Sequence, residues 1–284
     1  GILVTRLTSS DIDSLSDQLT DFDERLKLQT GRDMLGVACH SAGLCEKNIH
    51  VKIRKLTIAV VTITAGLGKI TGFAQTVKDI LTHIGFQTFI PAQTDAAGLA
   101  QAIERKSDII FMADDNRYFA FNLKKSFLID NIQATGDIFA AALDLMAKGI
   151  KGKKVLVLGA GPVGMAAVRK LIKFGANVGV HDKDMVKCQK NCDGIKKNSE
   201  QKIEPVHVLK AVDQKFCFFL EATDAKDVIK SSMIGPETFI AAPGVPLGVT
   251  QKGRKKAENR ILYDPLQLGT AAMAVRAAFP IQRG

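Results

Sequence analysis

The sequence predicts an α/β protein: a C-terminal Rossmann domain, preceded by an N-terminal α/β domain with a leading helix. Three observations carry this. Short apolar, β-branched runs recur at residues 56–64, 108–113, 154–158, 178–181, 216–220, 238–242 and 260–263. Stretches of helical periodicity lie between them, at 70–84, 95–106, 135–147 and 165–174. Glycine-rich turns follow two of the strands, at 65–68 and 159–164. Such alternation builds parallel sheets covered by helices. The 284 residues suit two domains, 1–150 and 151–284, joined by a short basic linker at 151–154.

The chain opens with a helical stretch at 9–28, capped by Ser9 or Ser10, with Asp11 and Asp13 in its first turn. Ile12, Leu15, Leu19, Phe22 and Leu26 form an apolar stripe, a packing face for the next domain or for a second copy in a homodimer. Gly31 ends it. Residues 30–55 read as irregular. The strand at 56–64 runs into Ala65-Gly66-Leu67-Gly68-Lys69 and then a helix at 70–84. A strand at 87–91 ends without an acid. After a helix at 95–106, the strand at 108–113 ends in Ala113-Asp114-Asp115-Asn116. Residues 122–129 read as a loop, and 135–147 as an alanine-rich helix capped by Thr135.

The second half starts with Lys154-Val155-Leu156-Val157-Leu158-Gly159-Ala160-Gly161-Pro162-Val163-Gly164. The glycines fall as G-x-G-x-x-G after a strand and before a helix, the dinucleotide-binding fingerprint. Gly159 permits the tight turn, Gly161 lets the backbone approach a pyrophosphate, and Gly164 lets helix pack on strand. The phosphates would rest on Gly161, Pro162, Val163 and Gly164, at the positive end of the helix. The next strand, at 178–181, ends on Asp182, 18 residues after Gly164. That is close to the spacing of the acid that takes the adenosine ribose hydroxyls. A carboxylate there repels a 2′-phosphate, so NAD is expected over NADP, although Lys183 stands beside it. The competing reading is a glycine turn that binds no nucleotide. A helix is expected at 185–192. The remaining strands end in Glu221-Ala222-Thr223, Pro243-Gly244-Val245-Pro246 and Asp264-Pro265. Ala222, Thr223, Pro243 and Gly244 are expected beside the nicotinamide ribose. The final helix, from Gly269, is apolar all round, which allows it to pack back on the N-terminal domain.

In the N-terminal half, Thr64, Gly66, Gly68 and Lys69 precede a helix and are expected to meet a substrate carboxylate; a plain βα turn is the alternative. Asp114, Asp115 and Asn116 lie where open α/β sheets bind ligands, and could hold a cationic amine or cap the next segment. The two domains are expected to enclose a cleft.

Composition narrows the class. Formal charge is +10 and the pI is near 9.4. The basic residues gather in polar runs at 148–154, 196–202 and 251–260, with no aromatics interleaved. That pattern reads as a solvated face and not as a nucleic-acid site. No apolar run is long enough to cross a membrane. Five cysteines, without a secretory layout ahead of them, point to a reducing cytoplasm and to free structural thiols. No metal-ligand spacing is present.

Met112-Ala113-Asp114-Asp115-Asn116, Asn122-Leu123-Lys124, the fingerprint with Asp182, Glu221-Ala222-Thr223, Pro243-Gly244-Val245-Pro246, and Pro265-Leu266 with Leu268-Gly269-Thr270-Ala271-Ala272-Met273 together resemble the pyrrolysine synthase (PylD) family. Cys45-Glu46-Lys47 fits its N-terminal segment. The resemblance implies an NAD-dependent amine-oxidising dehydrogenase acting on a dipeptide-like small molecule, L-lysine acylated on its ε-nitrogen by 3-methyl-D-ornithine. Thr64, Gly66, Gly68, Ala113, Asp114 and Asp264 are the candidate substrate contacts on this reading, and a family substrate contact maps onto the Asp114 segment. Asp114 is the first candidate for a catalytic base or an amine anchor. Asp264 stands where the family pattern often has Glu. Two other readings compete: another two-domain amino-acid or small-metabolite dehydrogenase, and a non-catalytic NAD(H) sensor that uses its basic charge on nucleic acid.

Overall fold

The structure, a computed structural model, describes residues 7–196, 203–207 and 216–280. The chain start and most of the basic run at 196–202 lie outside them. The chain forms two compact units. The first comprises Gly1–Arg25, Arg32–Ala134 and Leu266–Gly284, the second Leu26–Gly31 and Thr135–Pro265. The division thus falls well before the basic linker at 151–154.

In the first unit, β1 (Thr57–Val61), β2 (Gln87–Phe89) and β3 (Ile109–Ala113) are parallel, and β4 (Tyr118–Asn122) and β5 (Phe127–Asp130) extend the sheet antiparallel, in the order β2-β1-β3-β4-β5. The hairpin of β4 and β5 corrects the loop expected at 122–129. Tyr118, Ala120 and Asn122 are buried, and Phe119 and Phe121 between them are not. This period of two was masked by turn-forming residues: the Asn122 side chain accepts the Lys125 N–H at 2.9 Å and donates to the Ala277 carbonyl at 2.8 Å. Tyr118 is buried, with its hydroxyl 2.9 Å from that of Thr270.

The helix expected at 9–28 is two, α1 (Ser9–Ile12) and α2 (Leu19–Thr30). Serines and aspartates at 13–17 compete for backbone hydrogen bonds and break it. The cap is Thr8, whose N–H and hydroxyl donate to Asp11 at 2.8 and 2.7 Å. The apolar stripe is buried within the chain itself. Residues 30–55, read as irregular, hold α3 (Met34–Ala42) and α4 (Ile49–Ile53). Eight α3 residues are buried, so it shows no amphipathic stripe. Helices α5 (Phe73–His83) and α6 (Asp95–Glu104) follow β1 and β2. Helix α7 (Asn131–Met146) starts earlier than expected: Asp130 accepts the Ile132 N–H at 2.9 Å, and Thr135 lies inside the helix.

In the second unit, β6 (Lys154–Leu158), β7 (Asn177–His181), β8 (Ile203–Pro205), β9 (Phe218–Glu221), β10 (Phe239–Ala242) and β11 (Ile261–Tyr263) are all parallel. Their spatial order is β11-β10-β9-β6-β7-β8. Counted from β6, this is the doubly wound Rossmann order, which reverses between β6 and β9. Helices α8 (Pro162–Lys173), α9 (Met185–Lys196) and α10 (Gln251–Ala257) belong to this unit. The edge strand β8 and the basic helix α10 were not legible in the sequence. Gly136 lets α7 lie on the first turn of α8, where a Cβ would come within 2.6 Å of the Val163 carbonyl oxygen. Leu156, Leu158, Phe219, Ile240 and Val249 lie at the core. Each such side chain contributes about 1.5–3 kcal/mol by burial.

Candidate functional site

The site in the second unit is built at the reversal of strand order, where β6 and β9 end side by side with Leu158 paired to Glu221. Gly159 has φ +98°, and a Cβ there would stand 2.5 Å from the Ala222 carbonyl oxygen. A Cβ on Gly164 would collide with the Gly159 carbonyl. Both glycines are therefore required by packing. Gly161 is different: a Cβ on it would meet nothing within 4 Å. Its freedom leaves open space at the head of α8, where it is the N-cap and Pro162 the first residue. The N–H groups of Val163 and Gly164 lie in the first turn of a helix, where no helical partner exists. This is the cradle that a pyrophosphate fits.

Asp182, at the end of β7, turns back onto this loop. Its Oδ2 accepts the Ala160 N–H at 2.6 Å, and its Oδ1 accepts the Asp184 N–H at 2.9 Å. The structure therefore brings together the fingerprint and the predicted ribose acid. The residues expected beside the nicotinamide are also gathered. The Gly244 N–H donates to the Glu221 carbonyl at 3.1 Å, and a Cβ on Gly244 would lie 2.5 Å from the Thr223 carbonyl oxygen. Ala222 packs on Gly159, and Pro243 leads into the Gly244 turn.

Sequence reasoning missed what holds these loops. Glu221 has no solvent exposure, and its Oε1 accepts the Thr223 N–H at 2.8 Å and the Thr223 hydroxyl at 2.5 Å. Its Oε2 accepts the Gly248 N–H at 3.2 Å. Burial pushes its carboxyl above the usual range, against the pull of these hydrogen bonds. The available signal was an acid closing an apolar run at a strand's carboxyl end.

In the first unit, the Gly66–Lys69 turn after β1 is a short 3₁₀ segment. Gly66 has φ +51°, and a Cβ on it would strike the backbone of Asp114 and Asp115. Gly68 is pressed on the Ile63 carbonyl in the same way. Gly66, Gly68, Ala113 and Asp114 are thus neighbours. Near them a cavity of about 10 Å³, lined by Val61, Gly68, Phe73, Met112, Ala113 and Tyr118, holds a water at most. Thr64 needs correction as an anion donor. Its N–H and hydroxyl both donate to Asp95, at 2.9 Å each, and a second negative charge there opposes a carboxylate. These bonds, the Thr64 N–H first, hold the Asp95 carboxyl below its usual range. Lys69 is exposed. Asp114 Oδ1 accepts the N–H groups of Asn116 and Arg117 at 2.7 and 2.8 Å, shaping the turn into β4. Asp264, in the second unit at the end of β11, is 2% exposed.

Strand order, the glycine turn and the carboxylate folded onto it mark an oxidoreductase of the Rossmann dehydrogenase class, working with a nicotinamide dinucleotide. Residues 11–129 match the model for the N-terminal domain of pyrrolysine biosynthesis protein PylD, and residues 136–229 that for the C-terminal domain of alanine dehydrogenase/PNT. Over 270 residues, 94% of this chain and 97% of that protein, it is 28% identical to a pyrrolysine synthase of Methanosarcina acetivorans. A pyrrolysine synthase of Methanosarcina barkeri is 26% identical over 96% of this chain and 98% of its own length. Over nearly its whole length the chain is thus similar to pyrrolysine synthases, the PylD family. Among solved structures, a shikimate dehydrogenase of Aquifex aeolicus aligns with TM-score 0.53 at 16% identity, covering 81% of this chain and 94% of its own. A quinate dehydrogenase of Corynebacterium glutamicum, solved with NAD, gives 0.54 at 14%, covering 80% and 94%. At such identities these two show the fold alone. No helix among the described residues is long and apolar enough to cross a membrane.

Proposed function

We propose that this protein is a pyrrolysine synthase that oxidises the ornithine side-chain amine of L-lysine-Nε-3-methyl-D-ornithine. The observation that carries this is the extent of the likeness to named pyrrolysine synthases, which runs over 94% of the chain and includes the unit that a generic dinucleotide domain lacks. A bound nicotinamide supplies the hydride acceptor. Loss of hydride and a proton turns the primary amine into an imine. Water adds to release ammonia and leave an aldehyde. The ornithine α-amine condenses with the aldehyde, returns the water and closes the pyrroline ring.

The chain's own residues have separate tasks in this reading. The turn from Gly159 to Gly164 takes the pyrophosphate. Asp182 accepts from the adenosine ribose and disfavours a 2′-phosphate, so NAD is the cofactor. Asp114 has one oxygen committed to its turn and the other turned to a substrate ammonium or to the proton lost from the reacting amine. Gly66 and Gly68, pressed on the backbone of Asp114 and Ile63, hold the turn that meets the substrate beside Ala113. Asp264 serves the other ammonium. Incubation with NAD and the synthetic substrate tests this through NADH absorbance and product mass. NADH formation with a mass loss matching ammonia and two hydrogens is expected; intact NAD binding without turnover on this substrate sinks it.

A further inference from the structure

We propose that Glu221 is a positioning residue whose buried carboxylate holds the two loops on the nicotinamide side of the dinucleotide site. Glu221 ends β9, beside the Gly159 turn, and has no exposure to water. Its three acceptor contacts reach both following segments: the Thr223 N–H and hydroxyl in one, the Gly248 N–H in the other. Its main-chain carbonyl adds a fourth tie, to the Gly244 N–H. The second loop is shaped around it. A Cβ on Gly244 would stand 2.7 Å from Oε2, and one on Gly248 would stand 2.7 Å from Cδ. Glycines at these positions are what let the backbone wrap a carboxylate.

Charge makes the arrangement costly. The neighbouring segments Leu158–Ala160, Phe239–Ala242 and 243–248 bring no ionisable group, and the charge acting on Glu221 is that of Asp224, which is also negative. An apolar residue would end the strand more cheaply. The ionised form has lone pairs for all three donors, whereas protonation removes the charge that strengthens these bonds and makes one oxygen a donor. The acid form therefore relaxes the second loop, and the ionised form fixes it at the expense of stability.

This inference rests on the dinucleotide reading, and its test separates the two. NADH is titrated by fluorescence from pH 5.5 to 8.5 into wild type and Glu221→Gln, and the ligand-free proteins are melted over the same range. Wild type is expected to bind more tightly as pH rises while its Tm relative to Glu221→Gln falls. The variant is expected to bind about tenfold more weakly at pH 8, with little pH dependence from this position. A purely structural residue would move affinity and stability together. Binding by Glu221→Gln within twofold of wild type, with the same pH profile, overturns the proposal. Should that variant not fold, Glu221→Asp keeps the charge and withdraws it from the Gly248 N–H. A loss of about three- to tenfold in NADH affinity supports the proposal, and unchanged affinity overturns it. Failure of wild type to bind either NADH or NADPH overturns the dinucleotide reading, and this proposal with it.

Discussion

The Asp182 carboxylate accepts the Ala160 N–H at 2.6 Å, which ties the end of the second Rossmann strand to the glycine turn of the first. One side chain thereby shapes the turn and presents negative charge beside it. Asp182→Ser should weaken NADH binding about tenfold, through loss of a charge-assisted acceptor, and NADPH binding much less. Paired fluorescence titrations measure the ratio. An unchanged NADH-to-NADPH preference would remove Asp182 from cofactor choice.

The three fingerprint glycines make separable predictions. Gly161→Ala has open space and φ −72°, so it should cost under about 1 kcal/mol in stability while reducing NADH affinity tenfold or more. Gly159→Ala adds a left-handed φ to a backbone collision and should cost about 2 kcal/mol or more before any ligand is added. Melting curves beside titrations distinguish the two. Equal losses of Tm would mean that Gly161 serves packing only.

Asp114→Asn keeps an oxygen for the Asn116 and Arg117 N–H groups. It should leave the Tm nearly unchanged and raise KM or lower kcat at least tenfold, because only the charge is lost. Asp114→Ala removes the turn acceptor as well and should lower stability by about 1 kcal/mol. Steady-state kinetics on the amine substrate check this, and wild-type constants for Asp114→Asn would exclude it from the reaction.

Asp95 is held charged by Thr64, so its contribution has a defined sign with pH. A carboxyl below its unfolded value stabilises above the ordinary aspartate range, and loses that contribution as pH falls through the folded value. Asp95→Asn should lower the Tm at pH 7, and the gap from wild type should begin to close as pH falls below about 4. A gap of the same size at both pH values would show that the charge is not what matters.

Much of this protein was determined by its sequence alone. Glycines at 159, 161 and 164 between an apolar strand and a helix, with Asp182 after the next strand, admit few conformations, because each acts on its neighbours. That local logic set the fold class, the glycine turn and the strand ends. Helix α3 and the β4–β5 hairpin escaped it, the one because burial on every side erases periodicity, the other because turn residues hid an alternating strand. Tertiary structure alone decided which donors are already taken. Thr64 meets Asp95, 31 residues away, and Glu221 meets Gly248, 27 residues away, through contacts that no spacing rule encodes. A polar group's role depends on what satisfies it once water is excluded, and those partners come from distant parts of the chain.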